Sequence, residues 1–402
     1  MMTTTTPVRI AIVAEFVRAF STSPSAWVPL LARELSNRGH HVTVLADGIE
    51  DPLAFGGIPV VVHRHGRIHH GCEPFGFRNW CRHTLRTIAP QATLSFTDHV
   101  AADLWLPLGP GPAAFLRSLR HTSFVGAAMD LAHRPYVLLE LLSQHAARRD
   151  ATATKSRRVA FAADPASKNL APGSLVLPTT STLQPLTTED AAAARESVRG
   201  SLRISPTTPL LLLSVNDHES EHLELVFEAL SQLRAHSSAT PRFLLASRTP
   251  TFMRRRAAAW GVDDSILSTG TTRRPDLLFA ASDATIQPCP ARSGESSGRL
   301  IANSLAMRVP VLADATSAGS SLITNGAGVR LHAPTAASWR DALMHACDPA
   351  WRARASAVCD HLVPPLSSLV DELEHAIVGA ASASGAAGAT LSERSAPVSA
   401  TA

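Results

Sequence analysis

Apolar and polar positions along the chain keep switching between two periods. "RIAIVAEF" (Arg9 to Phe16) is a continuous apolar run of strand length, and "AWVPLLARELSNRG" after it carries the three-and-four spacing of an amphipathic helix. Gly39 stands where a helix C-terminus needs a residue that tolerates positive φ, and the apolar run Val42 to Ala46 follows it. Strand, helix, strand in that order is the repeating unit of a parallel sheet. Further strand-like runs at 58–62 and 92–96 bracket a helical pattern from Arg78 to Ile88.

The rhythm pauses in a Thr- and Pro-rich interval, "LPTTSTLQPLTTED" (177–190), and then restarts. Strand-like runs at 209–215, 242–247, 266–270 and 284–289 alternate with helical patterns through "ELVFEALSQLRAH", "RRRAAAWG" and "DLLFAAS". The pattern predicts an α/β chain of two doubly wound domains facing a cleft. The expected boundaries are 1–184 and 185–360, then a C-terminal helix over 361–379 crossing back to the first domain. An Ala/Ser-rich tail, 380–402, has little to bury and is expected to be disordered.

Composition narrows the class. A chain of 402 residues supports two cores, and 45% apolar with 17% charged residues is a folded-protein balance. The net charge of +4 is scattered, with no basic run longer than Arg254 to Arg256, so no nucleic-acid partner is expected. Mild basicity is compatible with phosphorylated ligands and with peripheral association on an anionic membrane face. Five cysteines without a repeated short spacing point to a reducing compartment rather than a disulfide framework. The apolar run before Glu15 is about seven residues, short for a signal-peptide core, and no window approaches the roughly 20 apolar residues of a membrane span. The expected location is cytoplasmic, at most peripheral on the inner membrane face. Neither a Walker loop, a serine nucleophile elbow nor a clustered acidic metal site occurs, so no metal and no cofactor are expected.

One stretch carries more specific information. In "ATIQPCPARSGESSGRLIANSLAMRVPVLADATSAGSSLITNGAGVRL" (284–331), Glu295, Gly298, Leu305-Ala306-Met307, Pro310-Val311 and Gly326-x-Gly328 occur in strand, glutamate, helix, strand, turn order. This resembles the C-terminal domain of retaining GT-B glycosyltransferases of family 4. "VRIAIVAEF…LARELSNRGHHVTVLA" is similar to the first unit of that family, and "TLSFTDHVAADLWLP" with "LVLPTTS" resembles its lipopolysaccharide-core glucosyltransferase branch. The resemblance implies a GT-B fold and transfer of a sugar from a nucleotide-sugar donor to a cell-envelope or lipid-linked glycan, with retention and without metal. It implies that Glu295 grips the donor sugar, that backbone from Ser296 through Ser297 to Gly298 approaches the phosphates, and that Asn303 meets the ribose. A carboxylate suits weakly donating sugar hydroxyls, and free N–H groups at a helix start suit a diphosphate.

The chain departs from that pattern in three places. Position 303 is Asn where the family has a second Glu. The loop after the first strand of the second domain reads "SVNDHESEHLEL" (214–225) in place of a Gly-Arg … Lys-Gly pair, so Arg248 and Arg273 become the candidate cations for the diphosphate. After the first strand, Ser21, Thr22 and Ser23 replace a Gly-Gly turn. Those departures leave a second reading, a catalytically inactive GT-B scaffold that binds a glycan or a protein partner or acts as a regulator. Asp98, His99 and Asp103 follow a strand C-terminus and are candidate acceptor-side groups, His99 also a catalytic one. His69 and His70 lie in a segment with five histidines and two cysteines (63–83) that fits no standard zinc spacing. An acceptor-facing basic loop and a solvated loop both remain open for it.

Overall fold

The computed structural model describes residues 6–17, 24–63, 73–97, 99–106, 135–153, 156–161, 173–213, 222–236, 240–245, 250–270, 272–288, 296–317 and 319–394. The chain divides into two compact units: Met1–Ala160 with Leu170–Leu177 and Val370–Ala402, and Phe161–Asn169 with Pro178–Leu369.

The first unit is built on β1 (Arg9–Val17), α1 (Trp27–Asn37), β2 (His41–Ile49), β3 (Val60–Val62), α2 (Glu73–Ile88), β4 (Ala92–Phe96), β5 (Leu104–Trp105), α3 (Pro135–Ala153), β6 (Arg157–Phe161) and β7 (Leu175–Leu177). Its sheet has the order β3-β2-β1-β4-β5-β6-β7, with parallel pairing from β3 through β6. Ile10 to Ala14 are buried in succession, as expected of a central strand covered on both faces. Gly39 has φ +94°, the left-handed conformation its place after α1 demands.

The second unit contains α4 (Thr188–Ser201), β8 (Leu210–Leu213), α5 (Leu223–His236), β9 (Arg242–Leu245), α6 (Pro250–Ala258), β10 (Ile266–Ser268), α7 (Pro275–Ala281), β11 (Ala284–Gln287), α8 (Ser296–Ala306), β12 (Val311–Asp314), β13 (Gly328–Leu331), α9 (Ala336–Cys347) and α10 (Pro349–Ala357). The order is β10-β9-β8-β11-β12-β13, all parallel. Leu211 and Leu213 pack on one face with Phe227, Phe243 and Trp339, while Leu210 and Leu212 pack on the other with Phe279 and Leu300. Burying each leucine contributes about 1.5–3 kcal/mol, which outweighs a strand-propensity range of about 1 kcal/mol. Leucine therefore serves as a strand residue here.

Two sequence expectations shift. The crossing from the first unit to the second falls after Leu177 rather than after residue 184: Ser181 and Thr182 are hydrogen-bonded to Asn303 and Leu183 packs on the second core. The final helix, α11 (Leu366–Arg394), continues well past residue 379 into the stretch expected to be disordered. Alanine has the highest helix propensity, so an Ala-rich segment extends a helix that packing has already nucleated. Asp371 and Glu374 of α11 each lie 2.6 Å from Arg38. His40 Nδ1 accepts from the Val8 N–H, so its Nε2 donates to Glu374 at 2.9 Å. Among the described residues, no helix is long and apolar enough to cross a membrane.

Candidate functional site

In a doubly wound sheet, ligands gather beyond the strand C-termini where the strand order reverses. That point is β1/β4 in the first unit and β8/β11 in the second.

In the first unit, Glu15 lies near the end of β1 and His99 just after β4. Their side chains meet, with Nε2 2.9 Å from Oε1. The turn between them is held by Thr97: its Oγ1 accepts the His99 N–H at 3.1 Å and its carbonyl accepts from Trp105 Nε1 at 2.8 Å. His99 is 4% exposed, whereas the Glu15 side chain is 44% exposed. The imidazole thus reaches solvent through the carboxylate, and Glu15 is the group a substrate would meet. A second such pair stands nearby: His63 Nδ1 is 2.8 Å from Asp47 Oδ1, and the His63 ring packs against Phe77 and Trp80. The thiol of buried Cys81 is pushed far up, first by burial and then by the negative charges of Asp47 and Glu15.

Asp103 is used otherwise. Its Oδ2 accepts from the N–H and the hydroxyl of Thr93, at 2.8 and 2.7 Å, which ties β4 to β5. Asp98, His69 and His70 lie outside the described residues.

In the second unit, His222 at the start of α5 reaches Asp314 at the end of β12, Nδ1 to Oδ2 2.7 Å. Because β12 lies beside β11, Asp314 at its end stands next to the end of β11. The Asp314 side chain is 1% exposed, and its other oxygen accepts from the N–H and hydroxyl of Thr316. Gln287, the last residue of β11, is 4% exposed, and its Oε1 has no partner among the described residues. A buried acceptor at a strand end is a position for a ligand donor.

The first turn of α8 is fixed by glycine. A Cβ on Gly319 would lie 2.6 Å from Gly298 Cα and 2.8 Å from Gly298 O, and Gly319 has φ +84°. Gly319→Ala is expected to cost about 2–4 kcal/mol, from left-handed strain plus overpacking. Urea unfolding checks this, and a loss under about 0.5 kcal/mol would contradict the close packing.

Glu295 and Arg248 lie outside the described residues, as do the side chains of Ser296 and Ser297. Arg273 is exposed just after β10, three strands from β11, or roughly 14 Å across the sheet. Asn303 is buried, and its Oδ1 accepts from Ser181 Oγ (2.9 Å), Thr182 N (2.9 Å) and Thr182 Oγ1 (3.2 Å). A ribose hydroxyl would have to compete with these for the same amide.

Glu15, Asp47, His63, Asp314 and Gln287 are the groups that motif reasoning missed. Glu15 had a visible signal, an acid interrupting the first apolar run. Among the described residues, no group of three or more His, Cys, Asp or Glu side chains is placed to hold a metal.

No protein-family profile matches the sequence, and no curated protein matches it. Solved structures do. WaaG, a glycosyltransferase involved in lipopolysaccharide biosynthesis, superposes with a TM-score of 0.71 at 17% identity, over 92% of this chain and 100% of WaaG. HepE of Anabaena, in complex with UDP and glucose, gives 0.58 at 11% identity, over 92% of this chain and 99% of HepE. Sucrose-phosphate synthase of Thermosynechococcus elongatus gives 0.59 at 13% identity, over 96% and 100%. The chain has the two-sheet GT-B glycosyltransferase fold.

Proposed function

We propose that the protein transfers a sugar from a nucleotide-sugar donor to a hydroxyl of a cell-envelope or lipid-linked glycan, with retention of configuration in the manner of family 4 and at the cytoplasmic face of the membrane. The observation that carries this reading is the likeness to WaaG over that enzyme's entire length, together with the Glu295-to-Gly328 motif in register. The UDP-bound neighbour supports a nucleotide diphosphate as the donor's leaving part.

In this reading the diphosphate meets the N-terminus of α8, where the Gly298–Gly319 contact holds the first turn and backbone N–H groups replace a metal. Glu295 accepts from sugar hydroxyls, Gln287 Oε1 takes a further donor, and His222, paired with Asp314, supplies an imidazole. Arg248 and Arg273 are the arginines offered for the phosphates. The C1–O bond to the diphosphate breaks as the acceptor oxygen bonds to C1. The acceptor proton leaves on a diphosphate oxygen, so charge balances without an external base. Glu15, oriented by His99, and Asp47, oriented by His63, bind acceptor hydroxyls.

Calorimetric titration of the purified chain with UDP-, GDP- and ADP-sugars tests this. Binding of one nucleotide at micromolar to low-millimolar concentration is expected. No heat with any of them at 10-fold higher concentration would leave the inactive scaffold, which the acidic 216–221 loop and the occupied Asn303 amide favour.

A further inference from the structure

The opposite end of the second sheet holds a cluster that sugar transfer does not use. Asp283 directly precedes β11, and Val309 and Pro310 directly precede β12, so this is the strand N-terminal edge, about 13 Å along the four-residue strands from Gln287. A cavity of about 280 Å³ opens there, lined by Arg195 of α4, Ser282, Asp283, Arg308, and Arg352 and Ser356 of α10 among others.

Charge in this cavity does not balance. Three guanidinium groups converge on the Asp283 carboxylate: Arg195 at 2.5 Å, Arg352 at 2.6 Å and buried Arg199 at 3.4 Å. The same carboxylate also accepts the Leu210 N–H at 2.8 Å. Its lone pairs are spent. Arg199 lies outside the cavity lining and gives its donors to the carbonyls of Ala281, Ser205, Pro206 and Thr208, and Arg195 also donates to the carbonyls of Ala281 and Ser282, so the charge left over at the cavity wall is that of Arg195 and Arg352 on one carboxylate. Arg308 adds a fourth guanidinium at the rim, paired at 2.7 Å with Asp360 but 58% exposed. Buried Nε atoms of Arg199 and Arg352 have no partner among the described residues. Burial first, and then repulsion from Arg195, hold Arg199 below the ordinary arginine range. Two cavity-lining guanidiniums share one carboxylate and remain partly open to the cavity, a positive surplus that suits a second anion.

We propose that this cavity binds a phosphate-bearing small molecule, with Arg195, Arg352 and Arg308 as its ligands, at a site separate from the donor site. Guanidinium forks suit phosphate oxygens, and several forks around one pocket favour a dianion over a carboxylate. A ligand here touches the starts of β11 and β12, the same strands whose far ends carry Gln287 and Asp314.

The test titrates the whole 402-residue chain with inorganic pyrophosphate at low ionic strength, alongside Arg308→Gln, Arg352→Gln and the control Arg340→Gln, whose arginine pairs with Asp341 outside the cavity lining. Wild type and the control are expected to bind alike. Each pocket variant is expected to bind roughly tenfold more weakly, the loss of one charge-assisted contact. Arg308→Gln keeps the test open if Arg352→Gln misfolds, because Arg308 is an exposed partner, and circular dichroism verifies both. Pyrophosphate binding equal in all four proteins would place the anion elsewhere and overturn the proposal, as would no binding to wild type. Sedimentation with phosphatidic acid vesicles that is lost in Arg308→Gln, without soluble pyrophosphate binding, would assign the pocket to a lipid headgroup and also overturn it. A UDP-sugar titration run in parallel reports separately on the donor site.

Discussion

Asp283→Ala is expected to lower the thermal midpoint of the second unit by on the order of 10 °C. The Asp283 side chain is 6% exposed and is the shared partner of Arg195, Arg199 and Arg352. Removing one partner of a buried ion pair costs about 3–5 kcal/mol, because the charges left behind remain desolvated. In a unit of this size each kcal/mol moves the midpoint by roughly 2–4 °C. Asp283→Asn should fall less far, since an amide oxygen can still accept the Leu210 N–H. Differential scanning calorimetry at low phosphate and again at high phosphate gives both numbers. A shift under about 2 °C for the alanine variant would show that the arginines are solvated rather than held by this carboxylate.

Glu295→Ala is expected to reduce sugar transfer by about 100-fold or more, the scale for losing one preorganised polar contact at a reacting centre. Loss of a charge-assisted hydrogen bond to a sugar hydroxyl removes orientation as well as affinity, so turnover should fall at saturating donor and not only KM rise. Initial rates with a labelled nucleotide-sugar donor read this directly. Free UDP should bind the variant nearly as well as wild type, because the nucleotide does not need the sugar contact. A variant within threefold of wild type would remove Glu295 from the donor site.

The fold was legible wherever apolar period alone decides structure. Runs such as Ile10 to Ala14 and Leu210 to Leu213 are too continuous for a surface and too short for a helix, and they form the central strands. The resemblance likewise placed α8 and the small-residue loop after β12, because those glycines serve local geometry. Contacts between distant segments were not legible. Asn303 reads in sequence as a weakened ribose ligand, yet its amide is taken by Ser181 and Thr182 from the far side of the unit. His99 reads in sequence as a candidate acceptor-side and catalytic group, yet its ring is buried under Glu15, a pairing that only the β1/β4 adjacency creates. The four arginines around the start of β11 come from α4, α10 and the turn before β12; only Arg195 and Arg199, four apart on α4, share a spacing that sequence shows.

The Arg38, His40, Asp371 and Glu374 cluster has a bearing on the order of synthesis. Val370 onward belongs to the first unit, so that unit is encoded on both sides of the second, which is an insertion within it. On the ribosome, the second unit has its full sequence before the first does. The N-terminal sheet must wait for α11 to emerge before His40 can meet Glu374. A premature stop after residue 360 would therefore damage the half of the protein made first.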